Sequence, residues 1–391
     1  MKSLFVALLL LVAGVAQGLS EDEFALLYAS AAKDAEACYK LYRAYAQGEG
    51  VARDESQARK WLLAAHNCGM LSTRAEIARQ PWRKALGLRE SVPEVDDATA
   101  AQKGEELLDL LLEWNGSNFG VGMALHERKL PPRLMRRVQE LIEAGADLNL
   151  VRLRPQGASH SALSLACFNG DLELARLLID HGADPCAHSM LALEYSLVPY
   201  VRQALEVPPL YADAEEGERR LRKPTGRLHA QTPQQQRSCK VVRFLIENGL
   251  DTALWTDYGW SLACLVVSHQ GLLALEALCD AGMDINAPQR PEECVAGAMP
   301  RECMEALYAD GCVEQRVPPI CYAVRNMMDV AVEQLVRLRA DTATPVMGKS
   351  VMQLARDTLQ SLPDNREMSA RGQLLMQALE KAFRRDREEK E

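Results

Sequence analysis

The sequence predicts an all-α fold, a helical-repeat solenoid in which short helix pairs stack side by side. Three observations predict it. Residues 161–184, Ser-Ala-Leu-Ser-Leu-Ala-Cys-Phe-Asn-Gly-Asp-Leu-Glu-Leu-Ala-Arg-Leu-Leu-Ile-Asp-His-Gly-Ala-Asp, read as a helix-turn-helix unit closed by Gly182. Weaker copies of that unit recur toward the C-terminus. Ala, Leu, Glu and Arg dominate a chain that is only 5% aromatic, a composition that favours helices. In such an array each unit touches only its neighbours, so the product is an extended binding surface.

The first eighteen residues stand apart from the array. Lys2 supplies a positive start, residues 4–15 are apolar, and Ala16-Gln17-Gly18 places small residues at a cleavage spacing. This is the composition of a secretory signal peptide, too short to span a membrane. No Cys follows the apolar run, and no later stretch reaches eighteen apolar residues. The expectation is a protein without membrane insertion, exported to the periplasm. The formal net charge is −9, and loss of Lys2 makes it one unit more negative. Acidic chains repel phosphate backbones, which argues against nucleic acid as a partner.

Residues 19–95 read as short antiparallel helices followed by a connector. Ser20 with Glu23 forms a capping-box pattern at the start. A second helix begins near Ala35, and Gly48-x-Gly50 supplies the positive φ a tight reversal needs. Asp54 is placed to cap a third helix, with Ala58, Trp61, Ala64 and Ala65 on its inner face. These positions resemble a Sel-one-like repeat, the short variant of the tetratricopeptide helix pair. The resemblance covers about one repeat. Exported cysteine-rich relatives staple such pairs, which implies a Cys38–Cys68 disulfide, although His66 stands where those relatives place the second Cys. Residues 81–95 read as the connector.

Residues 96–391 carry the array. Helical runs near residues 105–114 and 134–144 come first, and Leu141-Ile-Glu-Ala-Gly-Ala-Asp147 ends the second as Leu178-Ile-Asp-His-Gly-Ala-Asp184 ends a later one. Gly145, Gly182, Gly249, Gly282 and Gly311, with Arg339 in the same role, close successive units at gaps of 37, 67, 33, 29 and 28 residues. Helix starts at Ser161-Ala-Leu-Ser-Leu-Ala166, Pro318-Pro-Ile-Cys-Tyr-Ala323 and Ser350-Val-Met-Gln-Leu-Ala355 agree. The region resembles an ankyrin-repeat array, whose period is about 33 and whose Thr-Pro-Leu-His-x-Ala start is followed loosely here. The long gap reads as one repeat with an insertion near residues 198–238, its helices over 189–196 and 240–248. Phe383 and the charged tail belong to a last, capping helix.

Motifs that carry chemistry are sparse. The chain has no Gly-x-Ser-x-Gly elbow, His-Glu-x-x-His, phosphate-cradling loop or dinucleotide fingerprint. The expectation is a non-enzyme with no cofactor and no metal. Cys294, Cys303, Cys312 and Cys321 stand nine apart, but zinc ligands come as close pairs, so disulfides or core thiols are the alternatives. Cys167, Cys264 and Cys279 fall on helix faces where Ala or Leu would serve.

The ankyrin resemblance implies contacts on hairpin tips and inner helices. Arg152 and Arg154 occupy one tip, and Trp255, Tyr258 and Trp260 fall within six residues on another. Phe168 and Asn169 end an inner helix on the same concave side. Trp, Tyr and Arg are the commonest interface anchors. Packing is the alternative for two of them, Trp260 beneath the next helix and Tyr258 over a strand pair. A signal peptide joined to these two repeat types resembles bacterial periplasmic immunity proteins. That implies a protein partner, a cognate secreted toxin such as a type VI phospholipase effector. The other reading is a periplasmic scaffold or chaperone protecting an envelope enzyme such as a catalase.

Overall fold

The computed structural model describes residues 21–31, 34–115, 128–153, 159–205, 233–256, 259–269, 271–289, 317–346, 348–361 and 366–388. Helices α1 (Glu21–Ser30), α2 (Ala35–Gln47) and α3 (Glu55–Asn67) come first. Their ends follow from local chemistry. Asp34 accepts the Glu36 and Ala37 N–H groups to open α2, and Gly48, at φ 75°, closes it. Asp54 then accepts the Gln57 N–H to open α3, as the sequence predicts. Phe24 meets Tyr45 and Tyr28 meets Trp61 edge to face, with Phe24 tilted against Tyr28, and the four rings fill the space between the three helices. Ser20, half of the expected capping box, lies outside the described residues.

A Cys38–Cys68 disulfide is not seen in the structure. Cys38 is buried, and its thiol donates to the Ala31 carbonyl at 3.0 Å, across the α1–α2 turn. Cys68 stands exposed at the end of α3. Their helix pair is held by packed rings in place of a bridge.

Residues 81–95 are more than a connector. Two short helices, α4 (Arg74–Ala78) and α5 (Pro81–Ala85), lead into an irregular strap, 86–96, that runs along the array. Helix pairs then stack in order. They are α6 (Asp97–Asn115) with α7 (Pro132–Glu143), α8 (Ala162–Asn169) with α9 (Leu172–Asp180), and α10 (Ala187–Leu205) with α11 (Pro233–Glu247). Next come α12 (Leu262–Ser268) with α13 (Leu272–Asp280), α14 (Pro319–Arg325) with α15 (Asp329–Arg337), and α16 (Val351–Ser361) with α17 (Arg366–Glu388). A small antiparallel pair, β1 (Val151–Leu153) with β2 (Ser159–Ser161), projects before α8. The fold is an all-α stack of helix pairs.

The second pair shows why the repeat folds. Ser161 and Ser164 exchange side-chain and backbone hydrogen bonds in a capping box that opens α8. Gly170, at φ 67°, ends it, and Asp171 caps α9 through the Leu174 N–H. All eight residues of α8 are buried, so it forms the spine on which its neighbours pack. At about 1.5–3 kcal/mol per buried Leu, that spine outweighs its modest helix propensity.

Successive pairs are tied at their closing turns. Asn149 donates to the Gly182 carbonyl at 3.0 Å and accepts the Asp184 N–H at 2.8 Å. Asn286 accepts the Asp341 N–H at 2.7 Å in the same way. The turn closed by Gly282 neighbours the turn at Arg339 directly, and Glu276 of α13 pairs with Arg337 of α15. Gly311, expected to close a further unit, lies outside the described residues. Arg339 takes the glycine's place at φ 65°. Both helices around the expected insertion are longer than the sequence indicates, and residues 206–232 between them lie outside the described residues.

Candidate interaction surface

Five closing turns share one pattern: Gly145-Ala146-Asp147, Gly182-Ala183-Asp184, Gly249-Leu250-Asp251, Gly282-Met283-Asp284 and Arg339-Ala340-Asp341. In each, an Asp oxygen accepts the N–H two residues on, from Asn149, Cys186, Ala253, Asn286 and Ala343 respectively. That short-range bond holds the turn and aims the carboxylate outward along one edge of the stack.

Helix α3 lies on the first three of these turns. His66 Nε2 stands 3.0 Å from Asp147, with Thr73 at its other ring nitrogen. Arg59 forks onto Asp184 at 2.5 and 3.1 Å and also donates to the Gly249 carbonyl at 2.7 Å. Ser56 donates to Asp251 at 2.6 Å. Both partners of the Arg59–Asp184 pair are buried. Burial opposes charge on Arg59, but the Asp184 carboxylate outweighs it and holds the guanidinium protonated. Burial likewise pushes the Asp147 carboxyl up, and His66 with the Asn149 N–H more than offsets this and holds it below its ordinary value.

The strap completes the contact. Arg83, fully buried, donates to the Ile179, Asp180 and Ala183 carbonyls at the end of α9. Arg74 bonds the Gly145 and Val95 carbonyls. The Arg59 guanidinium lies 4.0 Å over the Trp82 ring. A Cβ built at Gly249 would come within 2.2 Å of that ring, and one at Gly145 within 2.6 Å of Val95. None of Ser56, Arg59, His66, Arg74, Trp82 or Arg83 stands out from the sequence. The available signal was the Asp two places after Gly145, Gly182, Gly249 and Gly282.

The residues the sequence proposed for contact fall mostly inward. Arg152 pairs with Glu105 and Asp109 on α6, which ties the β1 tip to the first helix pair. Phe168 is buried against Leu191 and Tyr195, and its carbonyl accepts from Arg237. Asn169 is fully buried and donates to the Leu165 carbonyl at 2.8 Å. Trp260 is buried edge-on against Tyr322 of α14, in the packing role that was its alternative. Arg154 and Tyr258 lie outside the described residues. Trp255 and the ion-paired Arg152 are the described members of the set that keep an open side. Trp255 is half-buried and donates its indole N–H to the Pro288 carbonyl at 3.0 Å.

Trp255 lines a shallow cleft with room for little more than a water molecule, with Lys60, Asn67, His188, Met190 and Leu254 among its other walls. One wall is α3 and the others are the starts of the third and fourth array pairs, so the cleft exists because α3 is docked. His188 and Met190 hold positive φ there, 51° and 64°, at the entry to α10. His188 is fixed by the Asn149 carbonyl at 2.7 Å. The neighbouring Cys186 thiol is pushed up to about 12 by burial, which leaves it protonated and inert at neutral pH. Cys167 and Cys264 are buried core thiols as expected, and Cys279 is half-buried. Cys294, Cys303 and Cys312 lie outside the described residues. Among the described residues no cluster of His, Cys, Asp or Glu could hold a metal, and no helix is long and apolar enough to cross a membrane.

The ankyrin-repeat family profile matches residues 159–189, which spans β2, α8, α9 and the Gly182 turn. That segment is an ankyrin repeat, a module that works in protein–protein interaction. No curated protein matches the chain. Among solved structures, the ankyrin repeat domain of Bcl-3, a member of the IκB protein family, is 18% identical, with a TM-score of 0.30 over 65% of this chain and 97% of that one.

Proposed function

We propose that the protein is an exported protein-binding solenoid, an immunity protein that grips and blocks a cognate secreted toxin. The observation that supports binding is the ankyrin repeat at 159–189, set in a stack with a cleft beside Trp255. The half-buried Trp255 ring, with polar side chains around it, supplies one anchor of the kind protein partners use. The net charge of −9 suits a basic enzyme surface and would speed its capture. Export to the periplasm rests on the composition of residues 1–18, and the toxin class on the pairing of that leader with two repeat types.

The test is affinity capture from a periplasmic extract with the mature chain, beside its Trp255→Ala variant. Recovery of a secreted lipase whose activity falls on binding, weakened about tenfold or more by Trp255→Ala, is the expected result. Recovery of a redox enzyme whose activity is preserved would favour the scaffold reading instead. A small-molecule ligand with no protein recovered would overturn both.

A further inference from the structure

We infer that the closing turn at residues 282–286 is a second docking edge, shaped for a cationic side chain on a helix of a protein partner. It prolongs the edge that α3 already occupies. On three sister turns the carboxylate at this position takes a donor from one helix: His66 on Asp147, Arg59 on Asp184 and Ser56 on Asp251. The row then continues while α3 stops, because Ser56 sits in its first turn. Asp284 is the next carboxylate. It is exposed, one oxygen holds the Asn286 N–H at 2.8 Å, and among the described residues no side-chain donor reaches it.

The shape agrees with the charge. A Cβ at Gly249 would strike Trp82, whereas one at Gly282 meets nothing within 4 Å. The turn at 282–286 thus presents bare backbone and a carboxylate where its sister presents the same groups covered by a ring and a helix. Asp280, at the end of α13, and Asp341, on the adjoining turn, are exposed beside it and add negative charge. Among the described residues Arg337, Arg339 and Arg243 are the cations near this edge; Arg337 is engaged with Glu276, and Arg243 is influenced by Asp280 and Glu276. The occupant that fits is therefore an amphipathic helix of a protein partner, running in line with α3 and presenting an Arg as Arg59 does.

This edge is separate from the Trp255 cleft and is tested separately. The probe is a hydrocarbon-stapled helical peptide with the sequence of residues 54–67, titrated into the full chain by calorimetry. Saturable binding is expected, weakened about tenfold or more by Asp284→Asn in the protein or by Arg59→Gln in the peptide. Asp284→Asn keeps the acceptor for the Asn286 N–H, and an unchanged thermal melt shows that the turn survives. The inference is overturned by the absence of saturable binding or by full binding to the Asp284→Asn protein. It is equally overturned if Asp251→Asn abolishes binding while Asp284→Asn does not, since the peptide would then have displaced α3. Trp255→Ala should leave the titration unchanged, so the failure of one site is distinguishable from that of the other.

Discussion

The turns closed by Gly145, Gly182 and Gly249 and those closed by Gly282 and Arg339 share a backbone, a carboxylate and a self-bond two residues on. They differ in what lies over them. The first three are roofed by α3 and the strap, which leave no room for a side chain at Gly145 or Gly249. The last two are open, and one of them tolerates Arg339 at φ 65°. Glycine is thus required twice over at Gly145 and Gly249, for its φ and for its missing Cβ. In the open turns only the φ requirement remains, and that costs an L-residue about 1–2 kcal/mol.

The largest expected effect is at the covered turns. Arg59→Ala should lower the free energy of unfolding in urea by about 3–5 kcal/mol, because it strands the buried Asp184 carboxylate. A loss below about 1 kcal/mol would mean that the pair is solvated. The comparison is sharpened by Gly249→Ala against Gly282→Ala. Both add the backbone penalty, but the first also forces Trp82 aside, at a further cost of about 1–3 kcal/mol. Equal costs at the two sites would break the distinction between roofed and open turns.

Much of the helical pattern was legible. Gly48, Asp54, Gly170, Asp171 and Gly182 mark their turns because caps and positive φ are local chemistry, readable wherever the residue stands. The docking of α3 was not legible. Arg59 and His66 look like the polar face of an amphipathic helix, yet residues 58–66 are buried without interruption because the helix packs on both sides. Their partners lie 125 and 81 residues away, and no local signal reaches so far. The contact site suffered in the same way. Arg152, Phe168 and Trp260 have the side chains of interface anchors, but the array spends them on its own tips and seams.

A smaller effect should appear in acid. Because the folded-state pKa of Asp147 is depressed, its contribution to stability is present above the ordinary carboxylate value near 4 and is lost as pH falls through its lower folded value. Asp147→Asn should therefore flatten the fall in stability below about pH 4, measured by urea unfolding across pH. An unchanged slope would place His66 and Asp147 outside the acid transition. Cys68→Ser should have the smallest effect, within about 0.5 kcal/mol as for other exposed positions. A loss of several kcal/mol would reinstate the disulfide.

The account rests on α3 and the first three array turns forming one cooperative body. Native-state hydrogen exchange measures that directly. The α3 amides should open with the same free energy as those of α9, and Asp184→Asn should lower both together. If the α3 amides exchange at a much smaller free energy, indifferent to Asp184→Asn, the helix is a separate unit resting on the array and the account fails.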